Sequence, residues 1–88
     1  MRWVYSFEER ALKELKKLGV QAQREILGCL DDRIAAEDDP GRFGKALRGD
    51  LAGLWRYWVG DYRLMCSLRA GEMLVLVVKV GHRRGVYD

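Results

Sequence analysis

The last nine residues, VGHRRGVYD (Val80 to Asp88), put an imidazole, two guanidiniums and a phenol, on His82, Arg83, Arg84 and Tyr87, within six positions of one another. Guanidiniums are permanent cations whose planar donors fit phosphate oxygens. Imidazole, with an ordinary pKa near ~6.5, can give or take a proton at neutral pH. A phenol at ~10 is a poor base until neighbouring cations favour its phenolate. Such a set could handle protons or bind phosphate at a site, or could be a solvated tail. Each member also has a plain alternative. His82 could cap carbonyls at a strand end, Arg84 could be solvated, and Tyr87 could fasten the terminus to the body of the protein.

Composition narrows the classes that could use such a site. The 88 residues are 49% hydrophobic with one proline, which predicts one compact domain spanning residues 1–88. No apolar run approaches the ~20 residues of a membrane span, and the start of the chain has no signal-peptide pattern, so a cytoplasmic protein without membrane contact is expected. Cys29 and Cys66 stand far apart outside any Cys-x-x-Cys or Cys/His cluster, which argues for buried reduced thiols and against a metal site; no cofactor is expected. Charge is unevenly divided. Up to Pro40, seven basic residues face nine acidic ones; from Gly41 onward nine face four. The basic half suits a polyanionic partner, through counterion release, or is ordinary solubilising charge.

The elements that must position these groups follow from periodicity. Residues Arg2 to Phe7 read as a strand. Ser6 and Glu9 have the spacing of a capping box for a helix carrying Ala11, Leu12, Leu15 and Leu18, with Gly19 as its left-handed stop. A second helix, about Gln21 to Glu37, carries Ala22, Ile26, Leu30 and Ile34 at helical spacing. A glycine-rich loop follows to Gly53, then three strands, Leu54–Val59, Tyr62–Arg69 and Met73–Val80, joined by Gly60-Asp61 and Ala70-Gly71. The prediction is an α+β fold, β-α-α-β-β-β, with a helical hairpin on one face of an antiparallel sheet. Alternation then assigns the faces. Trp55, Tyr57, Val59, Tyr62, Leu64, Cys66 and Leu68 should meet the helices; Arg56, Trp58, Arg63, Met65, Ser67 and Arg69, with Val75, Val77, Lys79 and Arg83, should form the other face. That second face could hold nucleic acid, guanidiniums on phosphates and Trp58 on a base, or a partner's helix. Alternatively, Trp58 and Met65 lie beneath the loop of residues 41–53.

Nearly the whole chain resembles the RelE/ParE toxin superfamily of type II toxin–antitoxin systems. The resemblance rests on FEERALKELKKLG, then KALRGDLAGLWRYWVGDYRLMCSL, then VLVVKVGHRRGVYD, and within them on LRG, DYRL and VGHRxxVY in this order and spacing. It implies a RelE-like fold and one of two activities. RelE-like members cleave mRNA in the ribosomal A site, whereas ParE-like members poison DNA gyrase and lack the nuclease side chains. By similarity with the nucleases, Arg63 and Arg83 match basic active-site positions, Tyr87 matches the C-terminal tyrosine, and Arg56 falls where the family often has lysine or arginine. A second family lysine, two residues beyond, is Trp58 here.

The resemblance therefore implies a metal-independent endoribonuclease in which the 2′-hydroxyl attacks the phosphorus. Arg56 and Arg63 are expected as phosphate clamps, Tyr87 as base or orienting group, and Arg83 or His82 as acid. Lys45, Arg48, Trp58, Lys79 and Arg84 are the expected RNA contacts, Lys45 and Arg48 also being candidates for antitoxin contact. Implied partners are a RelB-like antitoxin in a hetero-oligomer, mRNA and the ribosomal A site. A gyrase inhibitor, or an inactive homologue acting only through antitoxin binding, are the alternatives.

Overall fold

A computed structural model describes residues 3–36 and 38–83. Along the chain lie β1 (Val4–Phe7), α1 (Glu9–Lys16), α2 (Val20–Cys29), β2 (Lys45–Ala46), β3 (Leu54–Val59), β4 (Tyr62–Arg69) and β5 (Leu74–His82). The expected order is present, with one addition: two residues of the glycine-rich loop pair with β3 as the short edge strand β2. The sheet order is β1-β5-β4-β3-β2. Strands β2 to β5 form an antiparallel meander, and β1 adds to β5 in parallel. A parallel neighbour needs a long crossover, and the intervening helices and strands supply it.

The helices cover one face. Ala11 and Leu15 from α1, and Ile26 from α2, pack on Tyr57, Val59, Leu64, Cys66 and Val80. Helix α2 passes directly into a π-helical turn, Leu30–Ile34, which keeps Leu30 and Ile34 on the same buried side. The helical spacing of Ala22, Ile26, Leu30 and Ile34 is thus realised as one apolar stripe.

Alternation fails at one point, and the failure decides what the other face contains. In the β4–β5 ladder Met65 pairs with Lys79 but Cys66 pairs with Val77, so Val78 is an extra residue, a β-bulge. The bulge shifts the parity of β5. Val75 and Val77, expected on the open face, point into the core and are fully buried, while Lys79 still faces the open side beside Met65. Beyond the bulge β1 no longer flanks β5, and the Glu14 Oε1 carboxylate accepts from the Val80 N–H at 2.9 Å. The helix thereby satisfies the strand edge that β1 leaves bare.

Three local expectations also change. Ser6 stays in β1; Glu8 precedes α1, with no side-chain cap. Gly19 has φ −66° and introduces α2 instead of ending α1 in a left-handed conformation. The β4–β5 link is longer than Ala70-Gly71: a 3-10 turn, Ala70–Glu72, leads to Met73 at φ 49°, and β5 starts at Leu74. Gly60, at φ 57°, opens the two-residue β3–β4 turn where side chains are disfavoured.

Candidate nucleic-acid interface and active site

Register builds the open face row by row. Lys45 pairs with Arg56, Arg56 with Met65, and Met65 with Lys79, so one transverse row crosses β2 to β5. The next row is Trp58, Arg63 and Gly81. Cations therefore sit on four strands of one face because alternation and the bulge both aim them there.

Trp58 organises two of them. It is 42% exposed, so the loop of residues 41–53 does not cover it. The guanidinium carbon of Arg56 lies 5.1 Å from the indole centroid and that of Arg83 lies 4.9 Å away. Both are within the ~6 Å reach of cation–π attraction. Arg83 is held there by its backbone, whose N–H donates to the Asp61 carbonyl at 2.7 Å and ties the end of β5 to the β3–β4 turn.

Arg63 has a different environment. Only 2% of it is exposed, and its Nη2 lies 3.5 Å from the Met65 sulfur. Burial, and then the nearby Arg56 cation, hold its pKa below the ordinary arginine value. Both causes disfavour the charged form, and an anion bound in the adjoining cavity would favour it. Arg63 reaches a cavity of about 390 Å³ that it shares with Lys79, Glu8, Arg10, Leu51 and Leu54. Met65 is buried and lines the same cavity, as does Leu51 from the loop. A second cavity of about 410 Å³ gathers Lys45, Arg48 and Arg56. The expected RNA-contact residues Lys45, Arg48, Trp58 and Lys79 thus lie around Arg56, Arg63 and Arg83.

His82 is not brought to this group. It pairs across the ladder with Tyr62, on the side of Leu64 and Val80, and packs edge-on against the Tyr62 ring at 5.4 Å between centroids. Strand β5 ends at His82, and Arg83 turns onto the Trp58 ring, so these neighbours in sequence meet different partners. Arg84 and Tyr87 lie outside the described residues.

Arg10, Arg33, Arg42 and Phe43 were not among the expected site residues. Arg10 enters from α1 beside Glu8. Phe43 is 46% exposed and has the guanidinium carbons of Arg33 and Arg42 each 5.6 Å from its centroid. The available sequence signal was the stretch GRFGK, an aromatic residue among cations and glycines; the part played by Arg33, ten positions earlier, required the fold.

Among the described residues no three His, Cys, Asp or Glu side chains gather as a metal-holding group, and no helix is long and apolar enough to cross a membrane.

Comparison with known proteins agrees with this architecture. Residues 5–87 match the family described as ParE toxin of type II toxin-antitoxin system, parDE. The chain belongs to this family, within the RelE/ParE superfamily. It is similar to Toxin RelG of Mycobacterium tuberculosis, with 29% identity over 87 residues, 99% of this chain and 98% of that protein. The fold is similar to the toxin–antitoxin complex RelBE2 of Mycobacterium tuberculosis, with TM-score 0.87 and 28% identity over 94% of this chain and 100% of the matched one. It is also similar to the isolated RelE toxin of E. coli, with TM-score 0.70 and 26% identity over 91% of this chain and 83% of that one. The protein is a RelE-like toxin of a type II toxin–antitoxin system.

Proposed function

We propose that this toxin is a ribosome-dependent endoribonuclease that cuts mRNA in the A site without a metal ion, in the cytoplasm, and that a RelB-like antitoxin in a hetero-oligomer restrains it. The observation that carries the reading is the convergence of Arg56 and Arg83 on Trp58, beside the buried Arg63, on one sheet face. In this reaction the 2′-oxygen attacks the adjacent phosphorus, the bond from phosphorus to the 5′-oxygen breaks, and a 2′,3′-cyclic phosphate and a 5′-hydroxyl result. Charge accumulates on the non-bridging oxygens in the transition state. Fixed guanidinium donors are stronger there than toward the ground state, which is what acceleration requires.

Arg56 and Arg83 clamp the phosphodiester, and Arg63, already desolvated, strengthens its attraction as the phosphorane forms. Tyr87, outside the described residues, is assigned to accept the 2′-hydroxyl proton or to orient that hydroxyl. Arg83 donates a hydrogen bond to the leaving 5′-oxygen in this scheme, and that oxygen takes its proton from water. His82, directed to the other face with Tyr62, is left without the acid role. Free RNA would bind such a cationic face without the attack geometry being ordered, and the ribosome supplies that order.

Toeprinting of translating ribosomes with the purified toxin tests the reading. Breaks inside the A-site codon are expected, with Arg83→Ala and Arg56→Ala each slowing cleavage by roughly 10²–10³-fold, the loss typical of removing a transition-state donor. No cleavage by a preparation that antitoxin can titrate would end it. Trp58 standing where nucleases of the superfamily carry a lysine favours a second reading, a gyrase-directed toxin. DNA breaks dependent on gyrase and unchanged in both arginine variants would establish that one.

A further inference from the structure

The β2–β3 ladder stops early. Lys45 pairs with Arg56 and Ala46 with Trp55, so the same register carried backwards would set Phe43 opposite Trp58. The chain does not continue as a strand. Instead a 3-10 turn, Pro40–Phe43, curls it away from β3. Its seat is fixed: the Tyr57 hydroxyl donates to the Pro40 carbonyl at 2.8 Å, and a Cβ on Gly44 would stand 2.7 Å from the Tyr57 ring. Gly41 lies almost as closely on Trp55, where a Cβ would meet the ring at 3.0 Å. The gap that remains is a cavity of about 230 Å³ lined by Cys29, Arg33, Ile34, Phe43, Tyr57 and Trp58.

Its two ends are alike. Trp58 carries Arg56 and Arg83, and Phe43 carries Arg33 and Arg42. Aromatic rings and guanidinium planes are the surfaces on which unstacked bases rest, and the same cations meet the phosphates. The volume is below the ~300–1,000 Å³ of drug-sized pockets, so the cleft suits one ring system. Acidic groups limit its extent. The adjoining cavity, reached past Cys29, Arg33 and Trp58, is lined by Glu25 and Asp32, which repel a second phosphate.

We propose that the cleft between Phe43 and Trp58 is a second nucleotide subsite, which takes the base of a nucleotide flanking the scissile phosphodiester in single-stranded RNA, with Arg33 on its phosphate. The inference rests on the endoribonuclease reading for the identity of its ligand. It assigns binding, not catalysis, to Phe43 and Arg33.

The test measures binding without cleavage. A fluorescein-labelled six-nucleotide RNA, 2′-O-methylated throughout, is titrated with the toxin and followed by anisotropy over a range of salt concentrations. Phe43→Ala should weaken binding roughly tenfold, the order of one lost base stack, and leave the salt slope unchanged. Arg33→Ala should weaken it comparably and reduce the slope by about 0.7, one single-strand phosphate contact. Phe43→Trp should bind as the parent does, and Lys16→Ala, on α1 outside the cleft, should change affinity by less than about twofold. Parental affinity in both Phe43→Ala and Arg33→Ala would overturn the subsite, as would failure of the parent to bind this RNA at low salt. Displacement of the RNA by a hexaglutamate peptide that binds the parent but not Phe43→Ala would assign the cleft to an acidic protein segment and overturn it too. Absent A-site cleavage with these RNA effects intact would instead remove the nuclease reading and leave the subsite standing.

Discussion

Arg63 and Leu64 are consecutive, almost equally inaccessible at 2% and 0% exposure, and opposite in everything else. Leu64 points into the layer between sheet and helices, where apolar neighbours surround it. Arg63 points to the other face, against the Met65 sulfur and into a cavity with Lys79. The hydrophobic face gains stability by excluding water; the cationic face holds a charge in a setting that disfavours it. One strand thus places core residues on even positions and a buried cation on the opposite, odd face. The two faces should therefore separate under substitution.

That separation is the largest effect expected. Leu64→Ala should cost about 2–5 kcal/mol in urea unfolding, the range for truncating a buried leucine, since the surrounding helices and strands can close the cavity only in part. Arg63→Met, one residue away, should cost less than Leu64→Ala, because Arg63 faces a cavity and Leu64 the packed layer between sheet and helices. Its cleavage of A-site mRNA should nevertheless fall. Equal destabilisation by the two substitutions would mean that the faces are not independent, and that Arg63 is part of the scaffold.

Much of this division was legible in the sequence, because period-2 alternation needs no tertiary information. Strands Leu54–Val59 and Tyr62–Arg69 have the expected bounds, and the faces of β3 and β4 are as alternation requires. Val75 and Val77 were misassigned because a single inserted residue, Val78, reverses parity, and a bulge has no compositional mark in a run of valines and leucines. Proximity in sequence does not bring His82 and Arg83 together, because β5 ends at His82 and Arg83 turns onto Trp58. Ser6 failed as a cap because the ladder with β5 holds it in β1, where Ser6 pairs with Leu76. The cleft beside Phe43 was illegible for another reason: it depends on where β2 stops, and a two-residue strand in a glycine-rich loop leaves no periodicity to read.

Tyr57 joins the two regions, so its substitution sharpens the comparison at a smaller scale. Its ring belongs to the core, while its hydroxyl holds the Pro40 carbonyl beneath the turn that carries Phe43. Tyr57→Phe keeps the packed ring and removes one buried donor. A cost of about 1–3 kcal/mol is expected, the range for leaving a buried acceptor unsatisfied. Calorimetry would measure that loss, and the same variant should weaken the labelled RNA through a loosened Phe43. Stability lost without any change in RNA affinity would show that the turn keeps its place by other contacts.

The smallest effect concerns a buried group on the stabilising face alone. Burial, and secondarily Cys29, push the Cys66 thiol up to about 12 from its ordinary 9.0. The folded state therefore retains a proton that the unfolded chain releases above pH 9. With more protons bound in the folded state, the stability contribution is full below the unfolded pKa and falls as pH rises through that window. At half a unit above the unfolded value the loss is roughly 0.8 kcal/mol. Urea unfolding at pH 8 and at pH 9.5 should show that decline, and Cys66→Ala, although less stable at both, should show a shallower one. An unchanged slope in Cys66→Ala would assign the alkaline sensitivity to other groups, the raised Tyr57 phenol and Cys29 thiol being next in line. RNA affinity should stay insensitive to the Cys66 substitution, since a thiol enclosed by sheet and helices presents nothing to the cationic face.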